Sequence, residues 1–167
     1  MSENRTLILD AGQIDKKITR IAHHIYENHY KRKELHVVGL ADRGIEVASR
    51  IAAILEDISE IKILSYTLTL NKKDPLKEPV FSGDLKDLKG KVVILVDDVV
   101  NSGRTLIYAS RYILDNNPEV LATAALVDRI HRKFPIRTDY VGLSLSTNLK
   151  EHVAVELGKK KDAAYLE

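Results

Sequence analysis

The chain has no cysteine, no apolar run that approaches a bilayer's thickness, and almost no net charge. Each absence removes a class of protein. Without cysteine there is neither a disulfide framework nor a thiolate zinc site. A membrane-spanning helix needs about 20 consecutive apolar residues, and no stretch comes near that. The opening MSENRTLILD lacks the basic-then-apolar layout of a secretory leader. A cytoplasmic protein with no membrane partner is the expectation. The net charge of +2, from 26 Lys and Arg against 24 Asp and Glu, does not announce a nucleic-acid binder, so any basic surface must come from local clustering. The phosphate loop of nucleotide triphosphatases, Gly-x-x-x-x-Gly-Lys-Ser/Thr, is missing. No obvious nucleophilic triad is present either.

What is there is an ordinary soluble composition, 44% apolar and 30% charged over 167 residues, which fits one domain with its own core. Its centre is residues 92–105, VVILVDDVVNSGRT. Five apolar, mostly β-branched residues at 92–96 read as a strand buried on both faces of a parallel sheet. The strand ends in Asp97 and Asp98. After a short loop, Ser102-Gly103-Arg104-Thr105 opens a new helical pattern. In open α/β sheets, ligands sit beyond the carboxyl ends of the strands. A helix start offers free N–H groups and partial positive charge, which suits a phosphate. Carboxylates for hydroxyls or metal, beside donors for a phosphate, make a site for a phosphorylated sugar. An ordinary capped turn is the alternative reading.

Around this centre the pattern alternates. Ile14, Ile18, Ile21 and Ile25 predict a helix from about residue 12 to 30, with Asp10 and Gln13 as a capping box. Its other face carries Thr19, Arg20, His23 and His24, either a solvated face or a contact surface; the adjacent histidines point about 100° apart and make a poor metal pair. Residues 35–40 read as a strand that runs into Ala41-Asp42-Arg43-Gly44 and then a second amphipathic helix, a further anion-binding candidate. Residues 61–70 read as a strand. Residues 71–84, rich in Lys, Asp, Pro and Gly, read as a loop long enough for a lid, in which Lys72 and Lys73 either reach an anionic substrate or are simply solvated. A third helix follows the centre and stops before Pro118. Residues 120–127 are another apolar strand, and residues 126–142 read as a loop dense in His131, Arg132, Lys133 and Arg137. Residues 158–167, with three lysines, read as a frayed end. Strands separated by helical patterns predict an α/β fold with a parallel sheet and crossover helices.

Apolar run, Asp-Asp, short loop and Ser/Thr-Gly-x-Thr resembles the phosphoribosyl-pyrophosphate (PRPP) loop of the type I phosphoribosyltransferases. The opening helix, Thr19-Arg20-Ile21-Ala22-His23, and the segment from Asp128 to Gly142 resemble one branch, the bifunctional pyrimidine-operon attenuation regulator and uracil phosphoribosyltransferase family. The likeness runs from about residue 8 to 157. It implies a single phosphoribosyltransferase domain over 1–167: a mostly parallel central sheet with helices on both faces, a flexible loop at about 70–84, a basic loop at about 128–138 and a small hood. It implies transfer from PRPP to uracil, giving UMP and pyrophosphate.

The resemblance also assigns roles. Asp97 and Asp98 would hold the ribose hydroxyls, support the developing cation and help organise Mg²⁺, directly or through water. Val99, Val100, Asn101, Ser102, Gly103, Arg104 and Thr105 would wrap the 5′-phosphate. Ala41, Asp42, Arg43 and Gly44 would bind pyrophosphate. Two departures bear on rate. The pyrophosphate turn usually reads Lys-Thr-Arg-Gly, so here a cation is lost and an anion gained. The flexible loop usually reads Arg-Asp-Asp where this chain has Leu70-Asn71-Lys72, leaving Lys72 or Lys73 to supply the charge without arginine's fork. The family also binds a stem-loop of pyrimidine leader RNA with uridine nucleotides as effectors. The matching residues are Thr19, Arg20, His23, His131, Arg132 and Arg137. A homodimer or higher oligomer is expected. An RNA-binding regulator with vestigial catalysis, and an enzyme for another nucleobase, are the alternatives.

Overall fold

The computed structural model describes residues 5–146, 151–158 and 161–167. Strand β1 (Thr6–Leu9) leads into α1 (Ala11–His29). The capping box forms: the Gln13 amide donates to Asp10 Oδ1 at 2.8 Å and the Asp10 amide to Gln13 Oε1 at 2.9 Å. Then follow β2 (Glu34–Leu40), α2 (Arg43–Ile58), β3 (Lys62–Thr69), the short β4 (Val80–Phe81), a 3₁₀ turn (Leu85–Leu88) and β5 (Val92–Val100). The chain ends with α3 (Arg104–Leu114), β6 (Val120–Arg129), β7 (Tyr140–Leu145), β8 (Val153–Glu156) and β9 (Ala163–Leu166).

Six strands form the main sheet in the order β4-β3-β2-β5-β6-β7, all parallel except the edge strand β4. β5 is its centre because its side chains are apolar in both directions. Val92, Ile94 and Val96 join α1 and α2 in one core, with Ile14, Ile18, Val47 and Ile51. Val93 and Leu95 face the other way and pack with Leu106, Ala109 and Ile113 of α3 and Leu88 of the 3₁₀ turn. Helices therefore cover both faces, as the uninterrupted apolar run predicts. A second, three-stranded antiparallel sheet, β1-β9-β8, stands apart as the hood. Its Leu9, Val153, Val155 and Ala164 seat on the α1–α2 core. Among the described residues no helix is long and apolar enough to cross a membrane.

The structure corrects three boundaries. β5 does not stop at Asp98 but runs to Val100, paired with β6 through Val99↔Val127 and Val100↔Asp128. The stretch read as a loop from 126 to 142 contains the end of β6 and the start of β7, so the basic loop is residues 130–139. β7 is an edge strand, and an edge tolerates the polar residues that hide a strand pattern. The tail is not frayed: Ala163–Leu166 is the middle strand of the hood, between β1 and β8. Its partner β1 lies at the far end of the chain, where local pattern carries no trace of it. The segment at 70–84 also holds structure, since β4 folds back antiparallel on β3.

Candidate active site

Asp97 and Asp98 lie at the carboxyl end of β5. Asp97 is buried, and its Oδ1 accepts the Asp98 amide at 2.9 Å. Burial, then the neighbouring Asp98 charge, holds the Asp97 carboxyl well above the ordinary carboxylate range; the Lys72 charge acts in the opposite sense. Asp98 is half-buried and reaches the surface.

The phosphate turn is tighter than the sequence motif implies. Val99 and Val100 belong to the β5 ladder, and the Val100 side chain is in the α3-side core, so only their backbone is placed at the strand end. The turn proper is Asn101, Ser102 and Gly103. Gly103 is the N-cap of α3 with φ 84°, and it makes no side-chain capping bond, so it satisfies none of the first-turn N–H groups. A methyl at Gly103 would lie 2.7 Å from Ile136 Cγ2, so only glycine fits both the space and the backbone. Ser102 Oγ accepts the Arg104 amide at 3.3 Å, and Thr105 is half-buried in the first turn of α3.

This turn is braced by the basic loop. The Lys133 and Phe134 amides donate to the Ser102 carbonyl at 3.0 and 3.1 Å. Arg129 donates to Asn101 Oδ1 at 3.0 Å. Arg132 donates to the carbonyls of Asn101 at 3.1 Å, Arg129 at 2.5 Å and Ile136 at 3.2 Å, and to the Asp128 carboxylate at 2.5 Å. Arg132 thus ties the turn at Asn101 to the loop and to Asp128. Sequence reasoning missed this; the density of cations in the segment was the signal, but its direction, inward, is set by the β6–β7 connection.

The second turn meets the first. Ala41–Asp42 is a cis peptide, and Gly44 opens α2 against the end of β5. A methyl at Gly44 would lie 2.9 Å from the Val96 carbonyl and 3.0 Å from Asp97 Cα. Asp42 and Arg43 are exposed, and the Asp42 side chain makes no capping bond. The parallel register of β2 and β5 brings both turns to one edge of the sheet.

Facing this edge is the hood. Asp42, Arg43 and Glu46 on α2's side, and Glu156, Leu157, Lys161 and Tyr165 on the hood's side, line a cleft of about 740 Å³. The hood residues escaped the sequence reading, although VAVE and AAYL carry short-strand signals. Arg5 steadies this wall: it pairs with Glu156 at 3.0 Å and Glu167 at 2.5 Å, and its guanidinium lies 4.5 Å over the Tyr165 ring. Across the site, the Asn71 carboxamide accepts the Lys73 and Asp74 amides, fixing the bend that carries Lys72 and Lys73, both exposed.

The donor set fits magnesium. Among the described residues no three His, Cys, Asp or Glu side chains converge as a metal cage. Mg²⁺ suits this, because it takes one or two carboxylates, keeps several waters and completes its shell with phosphate oxygens. Asp97 and Asp98 are the residues that would hold it.

The six residues matched to RNA binding do not form one cluster. Thr19 and His23 are exposed on α1. Arg20 shares that face, but its guanidinium donates to the Val141 and Gly142 carbonyls at 2.8 and 2.6 Å. His131 and Arg137 are exposed on the loop that packs on the α3 side through Ile136 and Phe134. The Arg137 side chain is 89% exposed and pairs with Asp139 at 2.9 Å. The two groups flank the β7 edge from opposite faces.

Comparison with known proteins places this geometry in a family. Residues 4–159 match the phosphoribosyl transferase domain. The chain is 38% identical to the bifunctional protein PyrR of Clostridium acetobutylicum, over 90% of this chain and 89% of the relative. It is 36% identical to the bifunctional protein PyrR of Bacillus pumilus, over 94% and 93%. Among solved structures, the hypoxanthine phosphoribosyltransferase of Trypanosoma cruzi superposes with a TM-score of 0.76 at 17% identity, covering 89% of this chain and 84% of that one. A hypoxanthine-guanine phosphoribosyltransferase of Bacillus anthracis gives 0.68 at 20% identity, covering 86% and 84%. The chain belongs to the phosphoribosyl transferase domain family.

Proposed function

We infer that the protein transfers the phosphoribosyl group of PRPP to uracil, giving UMP and pyrophosphate, and that it also binds pyrimidine leader RNA in a UMP-sensitive manner. The observation that carries the catalytic half is the meeting of the Asp97–Asp98 pair, the Gly103 helix start and the Gly44 turn at one sheet edge. The uracil assignment and the RNA function rest on the near full-length likeness to bifunctional PyrR proteins; the likeness to purine enzymes, at 17–20% identity, speaks to fold alone.

The chemistry follows from placement. The bond from C1′ to pyrophosphate breaks with its electron pair, C1′ joins uracil N1, and N1 gives up its proton. Positive charge spreads over the ribose ring on the way, so catalysis is positional and electrostatic. The N–H groups at the start of α3 and the Ser102 and Thr105 hydroxyls hold the 5′-phosphate. Asp97 and Asp98 hold the ribose hydroxyls and place negative charge beneath the ring. Mg²⁺, when bound, neutralises pyrophosphate oxygens. The turn at Ala41 to Gly44 receives pyrophosphate by its backbone. Lys72, whose charge already acts on Asp97, supplies the cation of the flexible loop. The hood's Leu157 and Tyr165 offer the base an apolar wall, while Glu46 and Glu156 disfavour a second phosphate there. A homodimer or higher oligomer is part of this reading.

The test is UMP formation from uracil and PRPP with Mg²⁺, alongside hypoxanthine, guanine and adenine. Turnover with uracil alone is the expected result; turnover with a purine instead overturns the base assignment. Asp98→Asn is expected to lower turnover by about 100-fold or more with the melting temperature unchanged. For RNA, filter binding of a pyrimidine leader stem-loop is expected to tighten with UMP and to weaken in His23→Ala and Arg137→Ala. Unchanged binding in both variants excludes the α1 and loop surfaces.

A further inference from the structure

The hood and α2 are joined at one point by charge. Arg50, on the second turn of α2 past Glu46, donates to both carboxylate oxygens of Asp162, at 2.5 and 3.2 Å. The same guanidinium holds Glu46 at 2.9 Å and lies 3.8 Å from Asp15 on α1. Asp162 immediately precedes β9, and its Oδ1 also accepts the Gly158 amide at 3.0 Å. One carboxylate therefore closes the turn between β8 and β9 and ties that turn to α2. Both members are mostly buried, with side chains 24% and 16% exposed. The pairing holds the Asp162 carboxyl below its ordinary range, Arg50 being the first cause.

These contacts sit behind the cleft and not in it. Arg50 and Asp162 do not line it, whereas Glu46 on one side, and Leu157 and Lys161 on the other, do. Arg50 grips Glu46 directly and grips the segment bearing Leu157 and Lys161 through Asp162. The apolar seat of the hood, Val153, Val155 and Ala164, fixes its base. Lys161 lies outside that apolar seat, and the ion pair at Asp162 is what ties its neighbourhood to α2. A two-pronged guanidinium–carboxylate bond makes a stiffer tie than a lysine contact, because its plane is fixed as well as its length.

We propose that the Arg50–Asp162 pair is a latch that sets the width of the base-binding cleft, so that Arg50 is a positioning residue for nucleobase affinity and selectivity. This rests on the uracil phosphoribosyltransferase reading. Loss of the latch leaves the PRPP turn at Gly103 and the Asp97–Asp98 pair untouched, since neither Arg50 nor Asp162 contacts them. Its effect falls on the base.

The experiment is steady-state kinetics of Arg50→Met, Asp162→Asn and the double variant with uracil, hypoxanthine and PRPP, and Arg50→Lys as the conservative control. Each single variant is expected to raise the KM for uracil by about tenfold, with kcat and the KM for PRPP within about twofold. The double variant is expected to be no worse than the worse single one, because both remove the same contact. Arg50→Lys is expected to recover less than half of the loss, and selectivity for uracil over hypoxanthine to narrow. Proton exchange at the Gly158 amide is expected to quicken in both single variants. An unchanged uracil KM in folded variants, or kcat and both KM values degrading together with the folded fraction, overturns the latch. If the wild type itself turns over no uracil, the reading beneath it fails, and the latch as a base-positioning device falls with it.

Discussion

Asp97 carries a cost that its position explains. A carboxyl buried at the end of a strand, next to another carboxylate, holds its proton more tightly in the folded protein than in the unfolded chain. The sign of the linkage follows. Stability is fullest below the unfolded value and falls as pH rises through the raised folded value, so ionising Asp97 works against folding. Asp97→Asn keeps an acceptor for the Asp98 amide and removes the charge. It is expected to raise the melting temperature by about 2–4 °C at pH 7, the equivalent of ~1 kcal/mol for a domain of this size. The gain should shrink toward pH 4, while UMP formation falls by about 100-fold or more. Scanning calorimetry at both pH values checks this; a lower melting temperature at pH 7 would show that the pair is structural. Both aspartates were legible in the sequence because a strand end followed by acids and a glycine is a local pattern. The raised proton affinity was not legible, because it depends on what Gly44 and α2 press against the strand.

At the scale of elements, the phosphate turn is held by a loop that reads as a basic surface. Arg132 donates to three carbonyls, one carboxylate and the Thr138 hydroxyl, all within the site's own framework. Arg132→Met removes the donors but keeps much of the stem, leaving the Asp128 carboxylate and the Asn101 carbonyl unmatched. The expected cost is about 3 kcal/mol, read as a drop in the urea midpoint, together with a higher KM for PRPP. Arg132→Lys should recover little of either, since one ammonium cannot span those acceptors. Recovery by lysine would mean that charge alone matters there. The helices and inner strands were readable because their apolar spacing is their own. β7 and the end of β6 were not, because an edge strand takes its register from its neighbour, and Arg132 and Asp139 in the connection answer to the turn at Asn101 and to Thr123 of β6 instead of to solvent. The same logic separates the RNA candidates: Thr19 and His23 could be placed on one helix face from spacing alone, whereas the capture of Arg20 by the Val141 and Gly142 carbonyls could not. Arg20→Ala is accordingly a poor probe of RNA contact.

On the scale of the whole molecule, two sheets divide the work. The main sheet makes both turns, Ala41 to Gly44 and Asn101 to Gly103, and the antiparallel hood faces the first of them. β9 is the hinge of that division, since β1 and β8 pair with it and not with each other. A variant ending at residue 161 is expected to keep most of its far-ultraviolet circular dichroism, to bind a hydrophobic dye through the uncovered Leu9, Val153 and Val155, and to make no UMP. Retained turnover would show that the hood is dispensable. Nothing in the local pattern of residues 158–167 could reveal this role, because the pairing Thr6↔Leu166 joins opposite ends of the chain. That pairing also orders events at the ribosome. β1 emerges ahead of every other described strand, and the strand it needs emerges after all of them. A nascent chain can complete the parallel sheet and its phosphate turn while the roof is still missing. Until β9 docks, β1 and β8 have no partner among the described strands, and the turn from Ala41 to Gly44 has no cover.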